Sequence, residues 1–427
     1  MESDFEREIE RHFRRNAVAN VLDGACFWWA MSFIAARTIL PLYVRHYTES
    51  TLVIGLLSAI GNGWFLPQLF TANWVERLPR KKFAVVNIGA FTERLPIVLM
   101  APVALLATRF PALAVPGILL LYAWFTMGSG SVAVAWQDML AKVIPVERRA
   151  RLFGLTNFIG MAGGALTALV ASWILERYGF PDGYVLSFAA AAVLMGGSWF
   201  ALAMVREPAQ LSASTQVPWR TYWQRLPALL RADRNFRHFL ISQVVVNFGT
   251  MASGFLAVYA VQRWALGDDQ ASRFTVAMLV GQSVSNLALG AVGDRKGHKR
   301  VLELSALLGA LAAGVAVLAP SPLLFYAAFA FSGASFAGFY QSGVMISMEF
   351  SAPEVRPTYI GLANTVNGVS AIVASLVAGG LAQALGYPAL FAISFSAALA
   401  AFAALRWSVR EPRHTAGAVQ PVVQPGP

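Results

Sequence analysis

Long apolar runs separated by short polar gaps extend along nearly the whole chain. A run of about 20 apolar residues is long enough to cross a bilayer as a helix, and twelve such runs can be counted, which we number spans 1 to 12. The first six cover 16–42, 51–73, 83–107, 113–135, 152–175 and 184–205. The second six cover 238–264, 272–292, 300–319, 323–348, 359–385 and 387–407. This pattern predicts an all-α integral membrane protein with twelve transmembrane helices.

The longest polar connection, between spans 6 and 7, divides the chain into two six-span halves. The predicted organisation has five parts, which are an N-terminal amphipathic segment at 1–15, a six-helix bundle at 16–205, a cytoplasmic linker at 206–237, a second six-helix bundle at 238–407 and a disordered cytoplasmic tail at 408–427. In the first part Phe5, Ile9 and Phe13 recur at four-residue spacing. This spacing favours a helix that lies on the membrane surface.

The composition agrees with a membrane protein, and the charge distribution gives its orientation. Only 13% of the residues are charged, against about a quarter in soluble domains. Of the 33 lysines and arginines, 26 lie on the side that carries both chain ends, five on the other side and two within spans. The positive-inside rule therefore predicts that both termini are cytoplasmic, and we expect the membrane to be a bacterial inner membrane. It also accounts for the net charge of +11 without a nucleic-acid partner.

The chemistry-bearing residues do not form an enzyme-like set. The single cysteine and the five histidines have no metal-ligand spacing, so we expect no metal and no cofactor. The sequence has no nucleophile–base constellation and no G-x-x-x-x-G-K-[ST] loop. We therefore expect no enzymatic activity and no transport driven directly by ATP.

Two loop motifs occur once in each half. E-x-R-x-x-x-x-G-L-x-N follows span 4 at 147–157 and recurs after span 10 at 354–364. ANWVERLPRKK (72–82) follows span 2, and GAVGDRKGHKR (290–300) follows span 8. The last stretch resembles the signature loop of the major facilitator superfamily, G-x-x-x-D-R-x-G-x-[KR]-[KR]. The first copy departs from it, because Pro79 replaces a glycine and proline cannot adopt a positive φ.

The resemblance implies two pseudo-symmetric six-helix bundles that work by alternating access, with these loops locking the protein in one state. Natural partners are Asp138 with Arg77 and Glu349 with Arg295. The candidate residues of this cytoplasmic gate are Glu76, Arg77, Arg80, Asp138, Gly290, Asp294, Arg295, Gly297 and Glu349. The alternative is that these charges only anchor the loops at the lipid headgroups.

Charged residues also occur inside two spans. At about 1.5 Å per residue, Glu93 and Arg94 lie some 15 Å inside span 3, and Asp23 lies about 10 Å inside span 1. Adjacent helix residues point about 100° apart, so we expect Arg94 to pair with Asp23 rather than with Glu93. Charges at this depth are a functional hypothesis, and these three residues are the candidates for proton coupling. The alternative is a static ion pair that fixes helix packing.

Polar and aromatic side chains within the spans are candidates for a substrate pathway. They are Trp28, Arg37, Asn62, Asn247, Gln282, Asn286, Gln341 and Asn367. Amides with few charges favour a neutral or amphipathic organic solute, although each amide can instead form a hydrogen bond between helices. We expect a monomeric secondary transporter of a small organic solute, coupled to protons. The alternative is a non-transporting sensor or an assembly factor for a membrane complex.

Overall fold

The computed structural model describes residues 2–76, 78–208, 230–350 and 356–412. Throughout this part of the chain, each of the twelve predicted spans is helical. The helices are Glu2–Phe33, Ile39–Arg45, Thr51–Asn62, Leu66–Glu76, Leu95–Ala107, Ala114–Val143, Val146–Tyr178, Asp182–Met204, Arg234–Thr250, Leu256–Trp264, Asp268–Lys296, His298–Leu318, Pro322–Glu349 and Arg356–Ser408. The predicted all-α membrane fold is confirmed.

Among the described residues, nine helical stretches are long and apolar enough to cross a membrane. They contain spans 3 to 12, because the stretch Tyr359–Ser408 holds two spans. These two spans are separated at Gly386, whose φ of 80° is accessible to glycine but strained for other residues. Spans 1 and 2 are helical too, but each is interrupted.

The N-terminal segment continues directly into span 1. Glu2–Phe33 is a single helix of 32 residues, which corresponds to about 48 Å and exceeds the roughly 30 Å of a hydrocarbon core. The predicted surface segment is therefore not a separate helix. The reason is that no glycine or proline interrupts the chain before Gly24.

In three spans of the first half, the α-helix is interrupted shortly before a proline. The helix of span 1 stops at Phe33 and restarts at Ile39, two residues before Pro41. Span 2 has a 3₁₀ turn at Gly63–Phe65 before Pro67, and span 3 begins with two π-helical segments before Pro96. Each proline lies in the first turn of the next helix, where its missing N–H costs no hydrogen bond. The interruptions in spans 1 and 3 fall at Arg37 and Glu93, two of the candidate residues.

The chain forms two compact units. The first consists of Met1–Ser214 together with Gly254–Leu279, and the second of Thr215–Ser253 together with Val280–Pro427. Each unit has its own apolar core, which includes Val85, Ala135, Met139 and Leu202 in the first. The core of the second includes Phe236, Phe239, Phe350 and Leu405. The domain ranges given above remain predictions.

Candidate functional site

Three buried charged side chains of the first unit lie together. Nη2 of Arg94 lies 3.8 Å from Oδ1 of Asp23, the pairing that their depths predict. The other guanidinium nitrogen, Nη1, contacts the carboxylate of Glu93. The side chains of all three residues are only 7–8% exposed. Arg94 is therefore held between two carboxyl groups away from bulk water.

The contact between Glu93 and Arg94 corrects the sequence-based expectation. We expected adjacent residues to diverge by the 100° of an α-helix, but these two end the π-helical segment Ala90–Arg94. A π-helix has more residues per turn, so successive side chains diverge less. The long arginine side chain can then reach back to its neighbour. The prediction that these two residues do not pair was wrong.

Two residues that the sequence analysis missed complete this cluster. The Ser198 hydroxyl donates to Oδ1 of Asp23 at 2.6 Å, and Nε1 of Trp136 donates to Oδ2 at 3.3 Å. Nη2 of Arg94 in turn donates to the Ser198 hydroxyl at 3.3 Å. We call Asp23, Glu93, Arg94, Trp136 and Ser198 the Asp23 cluster. It joins spans 1, 3, 4 and 6.

The charges of the Asp23 cluster do not balance when every group is ionised. Asp23 and Glu93 then carry two negative charges against the single positive charge of Arg94. An uncompensated buried charge costs several kcal/mol. One proton on either carboxyl group makes the cluster neutral, so the arrangement can bind and release a proton.

Close packing of two backbones fixes span 3 at this position. A Cβ atom on Gly128 of span 4 would overlap the carbonyl oxygen of Thr92, the residue before Glu93. Only glycine allows this approach without displacing one helix. Gly128 therefore positions the Glu93–Arg94 pair.

The structure assigns other partners to the predicted gate residues. Oδ2 of Asp138 lies 3.5 Å from Nζ of Lys81, whereas its predicted partner Arg77 lies outside the described residues. Oε1 of Glu349 lies 3.8 Å from Nε2 of His298. The predicted pairing of Glu349 with Arg295 is not found, because the Arg295 side chain is exposed while His298, three positions further on, faces the carboxylate.

The other predicted gate residues differ in their exposure and backbone conformation. Arg80 is exposed and Gly290 is half-buried. Gly297 has a φ of 88° between two helices, where a side chain would be strained. The side chains of Glu76 and Asp294 lie outside the described part of the structure. The role of all these residues as a gate remains a prediction.

Two pathway candidates of the first unit lie at the interruptions. Arg37 lies in the break of span 1, is half-buried and interacts electrostatically with Tyr122 of span 4. Asn62 ends the first helix of span 2 and donates to the carbonyl of Ser58 at 3.0 Å. Trp28 is 37% exposed. Of the pathway candidates in the first unit, Arg37 is the one that brings a positive charge.

The amide candidates of the second unit behave partly as helix contacts. Nδ2 of Asn247 donates to Oδ1 of Asn367 at 3.0 Å and to the Ser370 hydroxyl at 2.7 Å. Asn247 and Asn367 are both half-buried. Gln282 is buried, whereas Asn286 and Gln341 are half-buried. The Asn247–Asn367 contact thus corresponds to the hydrogen-bond alternative, although both side chains keep exposed surface.

Comparison with known proteins agrees with the fold and with the signature loop. The sequence model of the Major Facilitator Superfamily matches residues 239–425. A gallate transporter of Pseudomonas putida is 24% identical over 416 residues, with 87% of each chain covered. The chloroplastic sodium-dependent phosphate transport protein 1 of Arabidopsis thaliana is 23% identical, over 83% of this chain and 71% of its own. The second half of the chain therefore matches the major facilitator superfamily, and the relatives named here are transporters.

Solved structures of superfamily members share this fold. A D-xylose–proton symporter superposes with a TM-score of 0.69 at 16% identity, covering 94% of this chain and 99% of its own. An inward-facing bacterial homologue of the iron transporter ferroportin gives the same TM-score at 14% identity, covering 93% and 99%. At these identities the likeness concerns the fold alone. Together with the relatives, it supports a membrane transporter.

The superfamily's signature loops are held in this chain by carboxylates that the sequence analysis missed. Glu207, directly after span 6, is buried and accepts hydrogen bonds from the backbone N–H groups of Lys81 at 3.0 Å and Lys82 at 2.7 Å. It also accepts one from Nζ of Lys142 at 3.0 Å. Glu207 thereby satisfies free N–H groups at the start of span 3 and stabilises its helix dipole.

Lys82 makes the reverse contact with the end of span 6. Its Nζ donates to the carbonyl oxygens of Ala203 at 2.6 Å and Val205 at 2.8 Å. Burial lowers the pKa of Lys82, and the nearby Arg15 and Arg206 lower it further. Glu207 at the end of span 6 therefore binds the start of span 3, and Lys82 at the start of span 3 binds the end of span 6. We call this reciprocal contact the clasp.

The second half repeats this clasp. Glu411, after span 12, accepts from the backbone N–H of Lys299 at 3.1 Å, and Nζ of Lys299 donates to the Arg406 carbonyl at 3.1 Å. Asn16 and Asn235 occupy matching places, because each exchanges hydrogen bonds with an arginine, Arg206 or Arg410. The signal was present in the sequence as V-R-E-P at 205–208 and again at 409–412.

Proposed function

We propose that this transporter is a secondary active transporter that moves a small organic anion by alternating access, coupled to protons. The observation that carries the proposal is the Asp23 cluster, which buries two carboxyl groups around one guanidinium. Because one proton makes the cluster neutral, loading and release of that proton change its charge by one unit. A group of this kind inside a membrane is a natural coupling site.

The substrate class follows from Arg37 and from the names of the relatives. The relatives named above carry gallate and phosphate, and an Arabidopsis thaliana relative, 29% identical over 38% of this chain, is an ascorbate transporter. All three names designate anions. Arg37 supplies a half-buried positive charge in the break of span 1, and interrupted helices commonly form the sites of such transporters. The proposal thus departs from the neutral solute that the amides alone favour.

The proposed setting is a bacterial inner membrane, with a monomer whose termini are both cytoplasmic. The two ends of the chain lie on the side that carries most lysines and arginines. No cofactor and no further protein enters the proposed cycle.

The test is uptake by the purified full-length protein in liposomes that contain a pH-sensitive dye. Gallate, phosphate and ascorbate are offered separately under an imposed proton gradient. We expect uptake of gallate or ascorbate, the two organic probes, together with proton movement. Asp23→Asn and Glu93→Gln should abolish the proton movement or separate it from uptake. Glu49→Gln, which changes an exposed glutamate outside the cluster, is the matched control.

Two results would overturn the proposal. One is wild-type pH dependence in both Asp23→Asn and Glu93→Gln, which would remove the coupling role of the cluster. The other is the absence of uptake for all three anions while a neutral solute such as xylose is transported, which would remove the anion class. Arg37→Gln tests the anion class separately from the coupling role of the Asp23 cluster, because it should abolish anion uptake while the cluster remains intact.

A further inference from the structure

A histidine, an aspartate and a tyrosine of the first unit meet at its outer end. We use this term for the end reached by span 1 after Arg45, which the charge distribution predicts to face outward. Nε2 of His46 lies 2.5 Å from Oδ2 of Asp268. The Tyr184 hydroxyl donates to the same carboxylate oxygen at 2.8 Å. Phe180 stacks on the imidazole, with the ring centroids 4.0 Å apart and the planes 17° apart.

These contacts attach the segment Gly254–Leu279 to spans 1 and 6 within the unit. Asp268 begins the helix Asp268–Lys296, whereas His46 directly follows the helix Ile39–Arg45 at the end of span 1 and Tyr184 begins span 6. A further hydrogen bond has the same effect, because Nη1 of Arg45 donates to the Val258 carbonyl at 3.1 Å. Deeper in the unit, the hydroxyls of Thr38 and Thr275 lie 2.5 Å apart, and both residues are buried.

Three other charged groups of this region, Arg273, Glu176 and Asp269, are matched with one another. Nη2 of Arg273 lies 2.9 Å from the Glu176 carboxylate and 3.5 Å from that of Asp269. A cavity of about 550 Å³ is lined by His46, Glu176 and Asp269. The titratable and charged groups of this region are Tyr43, Arg45 and Tyr47 from span 1, Glu176 from span 5, Tyr184 from span 6, and Asp268, Asp269 and Arg273 from span 8. Among them, Asp268 is the carboxylate in contact with the imidazole.

The contact between His46 and Asp268 depends on whether the imidazole carries a proton on both nitrogens. A neutral imidazole donates one hydrogen bond to the carboxylate, whereas an imidazolium forms an ion pair with it. The face of Phe180 attracts a cation as well. The side chains of His46 and Asp268 are 32% and 21% exposed, so protons can reach them from water. Histidine is the side chain that changes charge in the physiological pH range.

We propose that His46, Asp268 and Tyr184 form a proton-binding site that holds the outer end closed when His46 is protonated. Loss of the proton replaces the ion pair by a weaker hydrogen bond from a neutral imidazole and lets the segment Gly254–Leu279 separate from spans 1 and 6. The inference rests on the proposed alternating-access function, because it assumes that the outer end opens during the cycle. It adds a second titrating site, distinct from the Asp23 cluster.

The test measures how accessible Thr275 is beneath this site. The full-length protein carries Cys26→Ala, which removes its own cysteine, and Thr275→Cys, which places a reporter of similar size at a buried position. A membrane-impermeant maleimide is applied to reconstituted protein at pH 5.5 and pH 7.5, about one unit on either side of an ordinary histidine pKa. Each labelling rate is divided by that of Glu49→Cys at the same pH, because thiol reactivity itself changes with pH.

We expect the relative labelling rate to fall about five- to tenfold from pH 7.5 to pH 5.5, because an ion pair replaces a hydrogen bond from a neutral donor. His46→Gln keeps a hydrogen-bond donor but cannot be protonated, so its labelling should be fast at both pH values. Asp268→Asn should show the same loss of pH dependence. If pH dependence persists in His46→Gln, or is absent without that change, the inference is overturned.

A second measurement keeps the test valid if Thr275→Cys disturbs packing. Hydrogen exchange of residues 254–279 in otherwise unmodified protein should slow at low pH, after correction for intrinsic exchange, and this slowing should be lost in His46→Gln. The outcome is separable from that of the proposed function. Asp23→Asn should alter proton-coupled uptake without changing the pH response at Thr275. His46→Gln should remove the pH response at Thr275.

Discussion

Replacement of Glu207 by alanine tests the clasp between spans 3 and 6. The Glu207 side chain is 0% exposed and accepts three hydrogen bonds, from the backbone N–H groups of Lys81 and Lys82 and from Nζ of Lys142. Glu207→Ala leaves these donors without the carboxylate. At about 1–3 kcal/mol for each buried donor left unsatisfied, and allowing for partial access of water, we expect a loss of about 3–5 kcal/mol of stability.

The assay is equilibrium unfolding of the purified protein in a mixed-micelle denaturant titration. Glu207→Gln is the matched control, because it keeps one acceptor oxygen and the side-chain volume but removes the charge. We expect it to lose roughly half as much, since charge-assisted hydrogen bonds are about twice as strong as neutral ones. A free energy of unfolding for Glu207→Ala within about 1 kcal/mol of wild type, the size of an exposed ion pair, would refute this account of the clasp.

Three further predictions concern packing, the amide contact and pH. Gly128→Val should destabilise the protein by at least about 3 kcal/mol, because its side chain meets the Thr92 carbonyl, whereas Gly196→Ala, where an added Cβ meets nothing within 4 Å, should be nearly neutral in the same unfolding assay. Asn247→Leu should cost about 0.5–1.5 kcal/mol, because the partners on span 11 lose a half-buried donor; a change below the error of the titration would contradict this. The pKa of Lys82 is lowered in the folded state, so between that pKa and the ordinary lysine value of about 10.4 the unfolded chain binds more protons than the folded one. The free energy of unfolding should therefore rise with pH in this range. Lys82→Met should flatten the rise, and an unchanged slope would contradict the assignment.

The fold was predictable because its signals are strong and local. Apolar runs of bilayer length, basic loops on one side and a signature loop at 290–300 together predict the twelve spans and the superfamily. The interruptions were harder to foresee. Pro41, Pro67 and Pro96 mark where each interruption ends, but the conformation before them depends on tertiary packing rather than on local preference.

The candidate site was predictable only in part. Depth along the helix was enough to bring Asp23 and Arg94 together. It was not enough to find Ser198, because serine is common in transmembrane helices and its hydrogen bond to Asp23 depends on how span 6 rotates against span 1. The contact between Glu93 and Arg94 was wrongly excluded. The expected angle between the two side chains assumed a regular α-helix, whereas the chain forms π-helical turns there.

The gate contacts show a further limit of the sequence. Arg295 lies near the end of one helix and His298 begins the next, so the turn at Gly297 decides which of them faces the Glu349 carboxylate. By contrast, the repeated V-R-E-P at 205–208 and 409–412 was visible in the sequence and identifies both capping glutamates. An internal repeat is therefore a better guide to these contacts than charge alone.

The most direct test of the central claim is the protonation of the Asp23 cluster itself. Infrared difference spectroscopy of the reconstituted full-length protein between high and low pH reports the carbonyl band of a protonated carboxyl group in an apolar setting. The account predicts one such band in wild type that Asp23→Asn or Glu93→Gln removes or shifts and that Glu49→Gln leaves unchanged. A spectrum without this band, or a band that survives unaltered in both cluster variants, would contradict the claim that the cluster carries the coupling proton.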